Sequence, residues 1–284
     1  MKQRFRWQKR TSIINFKGGT GKSTVTENLS HGASLEIAAL VRAELLEIPE
    51  DGGVLVFDGD RQRNSSRTLL KTEELPEPTL IDVMEERVPL VDVIRPAPGR
   101  PYLWVVPSHT DLEKVSTYLS AHRKAYLHIR KELEALAERF PIVIFDQAGA
   151  YSAVMEALLL ASTHVLIPCE LEPYSVSGLF DMFAKLREEL SDHTLANGGI
   201  IPYNANFSKN MTNQYIRELK EAFGELVLPH VSTDTNFSYA QSDKQTIYEY
   251  EAAQKIKTRG AADFHAMIKP FLADVFEPKK EVAA

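Results

Sequence analysis

Lys17-Gly18-Gly19-Thr20-Gly21-Lys22-Ser23-Thr24 decides how the rest of this chain is read. A short apolar run, Ser12-Ile13-Ile14-Asn15-Phe16, precedes it, and a segment of helical character begins at Val25. Strand, glycine loop and helix, in that order, can wrap a chain of phosphates. Glycines let backbone N–H groups turn inward where a Cβ would block the approach. The positive end of the following helix then faces the anion. In such a loop Lys22 reaches the terminal phosphates and the Ser23 hydroxyl ligates Mg2+. The strict phosphate-loop pattern asks for glycine where Phe16 stands; here a second lysine, Lys17, opens the loop instead.

Working outward, Val54-Leu55-Val56-Phe57 is a continuous apolar run that ends in Asp58-Gly59-Asp60, and Ile142-Val143-Ile144-Phe145 is another that ends at Asp146. Both read as buried central strands. Residues 11–16, Tyr102–Val106, His164–Ile167 (stopped by Pro168), Gly199–Ile201 and Leu226–Val231 read as further strands. Helices are expected over 25–48, with a break at Gly32, and near Leu80–Glu86. Others are expected over 111–139 as one long charged helix, and over Ala153–Ala161, Ser175–Leu190, Met211–Phe223 and Ala261–Phe276. In the long helix, Leu112, Val115, Leu119, Leu127, Leu133 and Leu136 are expected to face the core. Strands apolar on both faces, alternating with helices, mark an α/β fold with a doubly wound, mostly parallel sheet. Ligands of such sheets sit beyond the carboxyl ends of the strands. Gly18, Asp58 and Asp146 all follow strand ends, so they should gather on one edge.

The chain has 284 residues, 44% hydrophobic and 25% charged, which suits a single soluble domain over residues 11–276. Residues 1–10 are expected as a basic N-terminal tail (Lys2, Arg4, Arg6, Lys9, Arg10) and 277–284 as a C-terminal tail. A net charge of −6 argues against a protein coated in basic charge. One cysteine, Cys169, excludes an intrachain disulfide and a cysteine-held metal cluster, and fits a reducing, cytoplasmic compartment. No apolar run approaches the length of a membrane span, and no signal peptide follows the basic start.

Phosphoryl transfer from ATP needs charge neutralisation, a metal and an oriented water. Lys22 and the loop amides can hold phosphate. Asp146 has the apolar-run-then-Asp form of a Walker B carboxylate and, with Ser23, can hold Mg2+. Asp58 and Asp60, one residue apart at a strand end, can divide the metal and the attacking water between them.

Lys-Gly-Gly-x-Gly-Lys-Ser resembles the deviant Walker A motif of the ParA/MinD family of dimeric ATPases. Asp58-Gly59-Asp60-Arg61-Gln62-Arg63-Asn64 is similar to that family's Asp-x-Asp-Pro-Gln-x-Asn signature, with Arg61 in place of proline. Val105-Val106-Pro107-Ser108, Val165–Pro168 with Glu170 and Ser175–Leu179, and Phe223–Pro229 with Ala240–Ser242 extend the likeness over roughly residues 11–275. The resemblance implies a P-loop NTPase fold of the SIMIBI class, with ATP and Mg2+ as cofactors and a nucleotide-sandwich homodimer formed in ATP. It implies phosphate contacts along Gly18, Gly19, Thr20, Gly21, Lys22, Ser23 and Thr24, and catalytic roles for Lys17 (across the dimer interface), Lys22 and Asp60 (positioning the hydrolytic water). Ser23, Asp58 and Asp146 would lie at the metal, and Tyr203, Asn204, Ser232 and Thr233 at the adenine. A ParB-like centromere-binding adaptor and non-specific DNA are the implied partners, as in DNA partition. Three departures stand out: the stretch between Lys22 and Val54 is long, Gln147-Ala148-Gly149 follows Asp146, and Asn236 stands where relatives that bind DNA often place arginine.

Two other readings remain open at this point. One is a MinD-like ATPase positioning a membrane-associated or protein cargo. Against it, residues 264–276 carry Pro270 and read as a core-docked helix rather than a free amphipathic one. The other is a nucleotide-dependent binding module that does not hydrolyse.

Overall fold

A computed structural model describes residues 3–190 and 193–276. Seven strands form one sheet in the order β3-β4-β2-β5-β1-β6-β7. They are β1 (Lys9–Ile13), β2 (Val54–Gly59), β3 (Arg95–Pro96), β4 (Leu103–Val106), β5 (Ile142–Gln147), β6 (His164–Glu170) and β7 (Ala196–Tyr203). All pair in parallel except the short edge strand β3, which runs antiparallel to β4. The α/β doubly wound expectation holds. The chain leaves β1 toward one side of the sheet and crosses to the other after β5, so β1 and β5 flank the switch point where such folds bind ligands.

Around the sheet lie α1 (Lys22–Arg42), α2 (Asn64–Leu70), α3 (Leu80–Met84), α4 (Val115–Ala121), α5 (His128–Ala135) and α6 (Ala153–Ala161). They are followed by α7 (Ser175–Glu189), α8 (Met211–Phe223), α9 (Asn236–Ser242), α10 (Ile247–Gln254) and α11 (Arg259–Leu272). Strand side chains alternate between the two faces. Val54 and Val56 of β2 therefore join Ile142 and Ile144 against α1 and α11, while Leu55 and Phe57 join Val143 and Phe145 against α3 to α6. A third cluster packs Ile14, Val165 and Ile200 against α6, α7 and α8.

Several boundaries differ from expectation. α1 is unbroken at Gly32, because that glycine sits where α10 and α11 cross. A Cβ there would come within 2.6 Å of both Ile268 Cδ1 and Tyr248 Oη. Residues 111–139 fold not as one helix but as α4 and α5 joined and preceded by 3-10 turns, and Leu127 is exposed in the junction. Charged residues outnumber a narrow apolar stripe there, and the stripe is satisfied in two short pieces. Leu226–Val231 is no strand; Val227 makes one isolated bridge to Ile200. β6 continues past Pro168 to Glu170, with Pro168 beside Ile201 in the ladder.

The N-terminal arm is shorter than expected. Lys9 and Arg10 belong to β1 and are buried, with Lys9 Nζ donating to Asp274 Oδ1 at 2.6 Å and to the Phe271 carbonyl at 2.8 Å. Ahead of them, Phe5 stacks on Phe276 and Trp7 Nε1 donates to the Asp274 carbonyl. Lys2 and the expected tail 277–284 lie outside the described residues. α11 buries Phe264, Met267, Ile268, Phe271 and Leu272, so the closing helix is docked in the core. Among the described residues no helix is long and apolar enough to cross a membrane.

Candidate functional site

Ladder register brings the three expected strand tips together. Ile13 of β1 and Asp58 of β2 are both paired with Asp146 of β5. The glycine loop springs from the first, Asp58-Gly59-Asp60 from the second and Gln147-Ala148-Gly149 from the third. That last turn lies directly on the loop: a Cβ on Gly149 would stand 3.6 Å from Gly18 Cα and from Lys22 Nζ.

The loop itself requires its glycines at two places. Gly19 and Gly21 have φ of 77° and 84°, a region costly for any residue with a Cβ. Gly21 caps α1 without a side-chain bond, so the first amides of that helix keep their hydrogen-bonding capacity for an anion. Lys22 is buried under the loop, and its ammonium donates to the Lys17 carbonyl at 3.1 Å. Burial lowers its pKa, while the carboxylates of Asp146 and Asp60 oppose that shift. Thr20 lies in the loop, and Ser23 and Thr24 in the first turn of α1.

Two carboxyl groups lie buried beneath this loop. Asp58 and Asp146 are fully buried, and burial raises both pKa values. For Asp58 the neighbouring Asp146 adds to the rise; for Asp146, hydroxyls of Ser65 and Ser23 pull it back. Asp58 has little left to offer a metal directly. Its Oδ2 accepts from the Ser66 amide and hydroxyl, both at 2.7 Å, and its Oδ1 accepts from the Asp60 amide at 3.1 Å. It therefore braces the Asp60 turn and the start of α2. Asp146 differs: Oδ2 accepts from Ser65 Oγ at 2.7 Å, whereas Oδ1 is buried with no partner. An orphaned carboxylate oxygen beside a serine hydroxyl, in a cluster that burial makes reluctant to ionise, fits a hard divalent cation. Of the three expected ligands, Asp146 and Ser23 have the free valence. Asp60 is partly exposed at the turn, with Oδ1 accepting from the Gln62 amide at 2.9 Å.

Lys17 points elsewhere. Its ammonium pairs with Glu172, and with Glu170 at 3.6 Å, on the outer side of the loop. A cavity of about 530 Å3 opens there, lined by Phe16, Lys17, Glu170, Glu172, Tyr174 and Met182 among others. The expected adenine residues divide. Tyr203 ends β7 and lays its ring against Gly21, where a Cβ would meet ring atoms at 2.2–2.6 Å. Asn204 takes a left-handed backbone, and the Thr233 hydroxyl donates to its Oδ1 at 2.8 Å. Ser232 turns inward, and its amide donates to Asp263. Tyr203, Asn204 and Thr233 thus form one group beside the loop, and the Ser232 side chain is buried.

Reading the sequence missed Glu27, five residues past Lys22 on α1. It is buried, its Oε1 has no partner, and its pKa is raised well above the ordinary value by burial and then by Asp146. Set among Thr24, Thr26 and Asn28 in the mixed, largely polar first turns of α1, it carries no distinguishing sequence signal. It also missed that Glu170 and Glu172 hold Lys17, which follows from β6 lying next to β1 in the sheet.

Known proteins resemble this chain in sequence and in fold. The family profile described as "AAA domain" matches residues 8–197. The cell division protein PomZ of Myxococcus xanthus is 27% identical over 268 residues, covering 93% of this chain and 78% of PomZ. The sporulation initiation inhibitor protein Soj of Bacillus subtilis is 25% identical, covering 93% of this chain and 98% of Soj. Among solved structures, apo McdA from Cyanothece superposes with a TM-score of 0.74 at 21% identity, covering 93% of this chain and 99% of McdA.

Proposed function

Because this chain belongs to the AAA-domain family and, within it, to the ParA/MinD ATPases with a deviant Walker A loop, we propose that it is a positioning ATPase that works as a nucleotide-sandwich dimer on non-specific DNA. The observation that carries the reading is the division of labour between two lysines. Lys22 is buried under its own loop, whereas Lys17 leaves that loop outward, with its side chain 53% exposed. A lysine facing away from its own phosphates is suited to those of a second copy, as an arginine finger acts in trans.

On this reading the Gly18–Thr24 amides and Lys22 hold the triphosphate, and Asp146 with Ser23 holds Mg2+, which supplies charge neutralisation when bound. Asp60, braced by Asp58, orients the attacking water. Tyr203, Asn204 and Thr233 border the adenine. ATP binding then acts as the switch and hydrolysis as the reset. PomZ and Soj are named for cell division and sporulation, which supports a cellular-positioning role of this kind, with DNA partition through a ParB-like adaptor as its specific form. The docked α11 disfavours a membrane-cycling role for residues 264–276. Sedimentation of Asp60→Ala in ATP tests the proposal: a trapped dimer is expected, and a monomer contradicts it. Filter binding to duplex DNA in ATP tests the track, with affinity falling steeply as salt rises; no ATP-dependent binding would remove DNA from the account.

A further inference from the structure

We propose that Glu27 of α1 is a positioning residue for hydrolysis: through Thr68 it fixes α2, and with α2 the Asp60 turn, in register with the phosphate loop. This rests on the reading of Asp60 as the residue that orients the attacking water.

Glu27 stands one helical turn beyond Ser23, on the same face of α1. It is 2% exposed, and its Oε1 has no partner. Burial raises its pKa and Asp146 adds to the rise, while the Thr68 hydroxyl, hydrogen-bonded to the carboxyl, opposes it. A buried carboxyl with one oxygen unpaired costs more than an apolar side chain of its size. Packing between the two helices does not call for it, since Val25 and Leu29 of α1 already share an apolar cluster with Leu69 and Leu70 of α2.

A polar tie matters at α2. Seven residues make a helix that is marginal alone, and its N-cap residue, Arg63, supplies no side-chain bond. Groups of the site hold its front. Ser65 Oγ donates to Asp146 Oδ2 and Ser66 Oγ to Asp58 Oδ2, both at 2.7 Å. Ser66 Oγ also accepts from the Ser108 amide at 2.9 Å, and the Ser108 hydroxyl donates to the Asp60 carbonyl at 2.8 Å. The Arg63 amide donates to that same carbonyl at 2.9 Å. Displacing Ser66 therefore displaces Asp58, Ser108 and the turn that carries Asp60. At the back of α2, Arg100 donates to the carbonyls of Thr68 and Leu69, and Glu27 meets the Thr68 side chain. Arg100 ties α2 to α10 through Glu249. Glu27 ties it to α1, the helix that carries Lys22 and Ser23.

A small displacement of a water-positioning carboxylate reads out in turnover rather than in nucleotide binding. Glu27→Leu should lower kcat for ATP about three- to tenfold, the worth of one buried hydrogen bond, with KM within about twofold of native. In the nucleotide-free variant, the amides of residues 64–70 should also exchange with solvent faster. Glu27→Gln keeps the shape and a hydrogen bond to Thr68, and it should restore both. Thr68→Val removes the same tie from the other helix; it should match Glu27→Leu, with no further loss in the double variant. Native kcat in Glu27→Leu and in Thr68→Val overturns the proposal. So does an equal loss in Glu27→Gln, or losses that multiply in the double variant. Hydrolysis by Asp60→Ala at the native rate would instead remove the Asp60 reading, and it leaves the exchange result standing.

Discussion

Replacing Gly21 by alanine should destabilise the nucleotide-free protein far more than a methyl group in an open loop would. Two costs add. Gly21 has φ of 84°, and a Cβ in the left-handed region costs about 1–2 kcal/mol. The new Cβ would also fall 2.2 Å from Tyr203 Cζ and 2.4 Å from Cε1, where ordinary contact is near 3.5 Å or more. The ring must retreat by more than about 1 Å. That overpacking costs roughly 1–3 kcal/mol, and losing the Tyr203 hydroxyl bond to Thr24 costs about 1 kcal/mol. The total is about 3–6 kcal/mol, which lowers Tm by roughly 10 °C in a chain of this size. The assay is a double-mutant cycle with Tyr203→Ala, followed by thermal and denaturant unfolding without nucleotide. In the Tyr203→Ala background the ring is gone, so Gly21→Ala should cost only the backbone part. The coupling should therefore be about 2–4 kcal/mol. Costs that add within about 0.5 kcal/mol would mean the ring does not rest on the loop, and would refute the packing argument that places Tyr203 beside the nucleotide site.

Two further predictions concern the frame behind the site. His31 on α1 is buried beside Thr246, its Nδ1 2.6 Å from the hydroxyl, with the Tyr248 ring edge-on; burial first, and then the Arg100 cation, push its pKa down to about 4. The unfolded chain therefore takes up a proton before the folded one does, and stability contributed by the neutral ring is lost as pH falls from 6.5 to about 4. The loss amounts to about 3 kcal/mol; His31→Gln should flatten that part of a denaturation-versus-pH curve, and an unaltered curve would contradict it. Arg100 is wholly buried and clamps α2 to α10, with its NH1 donating to the Leu69 carbonyl at 2.5 Å and its NH2 bonded to Glu249 at 2.6 Å. Arg100→Met should lower stability by about 3–5 kcal/mol in urea, because Glu249 keeps only Lys71 and the Thr246 cap and two α2 carbonyls lose their donor; a change under about 1 kcal/mol would show that the clamp carries no net energy.

The sheet was legible because its strands are short apolar runs buried on both faces, and each chemically marked residue falls just past such a run. Asp58 and Asp146 could be placed together from that alone. What pattern could not supply was hydrogen-bond accounting. Asp58 was expected at the metal; Ser66 and the Asp60 amide take three of its roughly four acceptor sites, and only packing reveals that. The helix break at Gly32 was wrong for a related reason. Glycine there answers a crossing with α10 and α11, which lie more than two hundred positions onward in sequence. Residues 111–139 misled because charge-rich helical spacing cannot tell one helix from two short ones. The basic run at the N-terminus hid a strand start, since Lys9 and Arg10 lie inside β1.

The central claim is that one subunit's Lys17 completes another subunit's site. Mixing two inactive variants measures it directly: Lys17→Ala lacks the trans lysine but keeps Asp60, and Asp60→Ala has the reverse defect. In a mixed dimer one of the two sites has both residues. ATP turnover should then recover to about a quarter of the native rate at equal concentrations, with each variant alone near background. If Lys17 serves its own nucleotide, no site in any dimer is whole, and the mixture would stay as inactive as its parts.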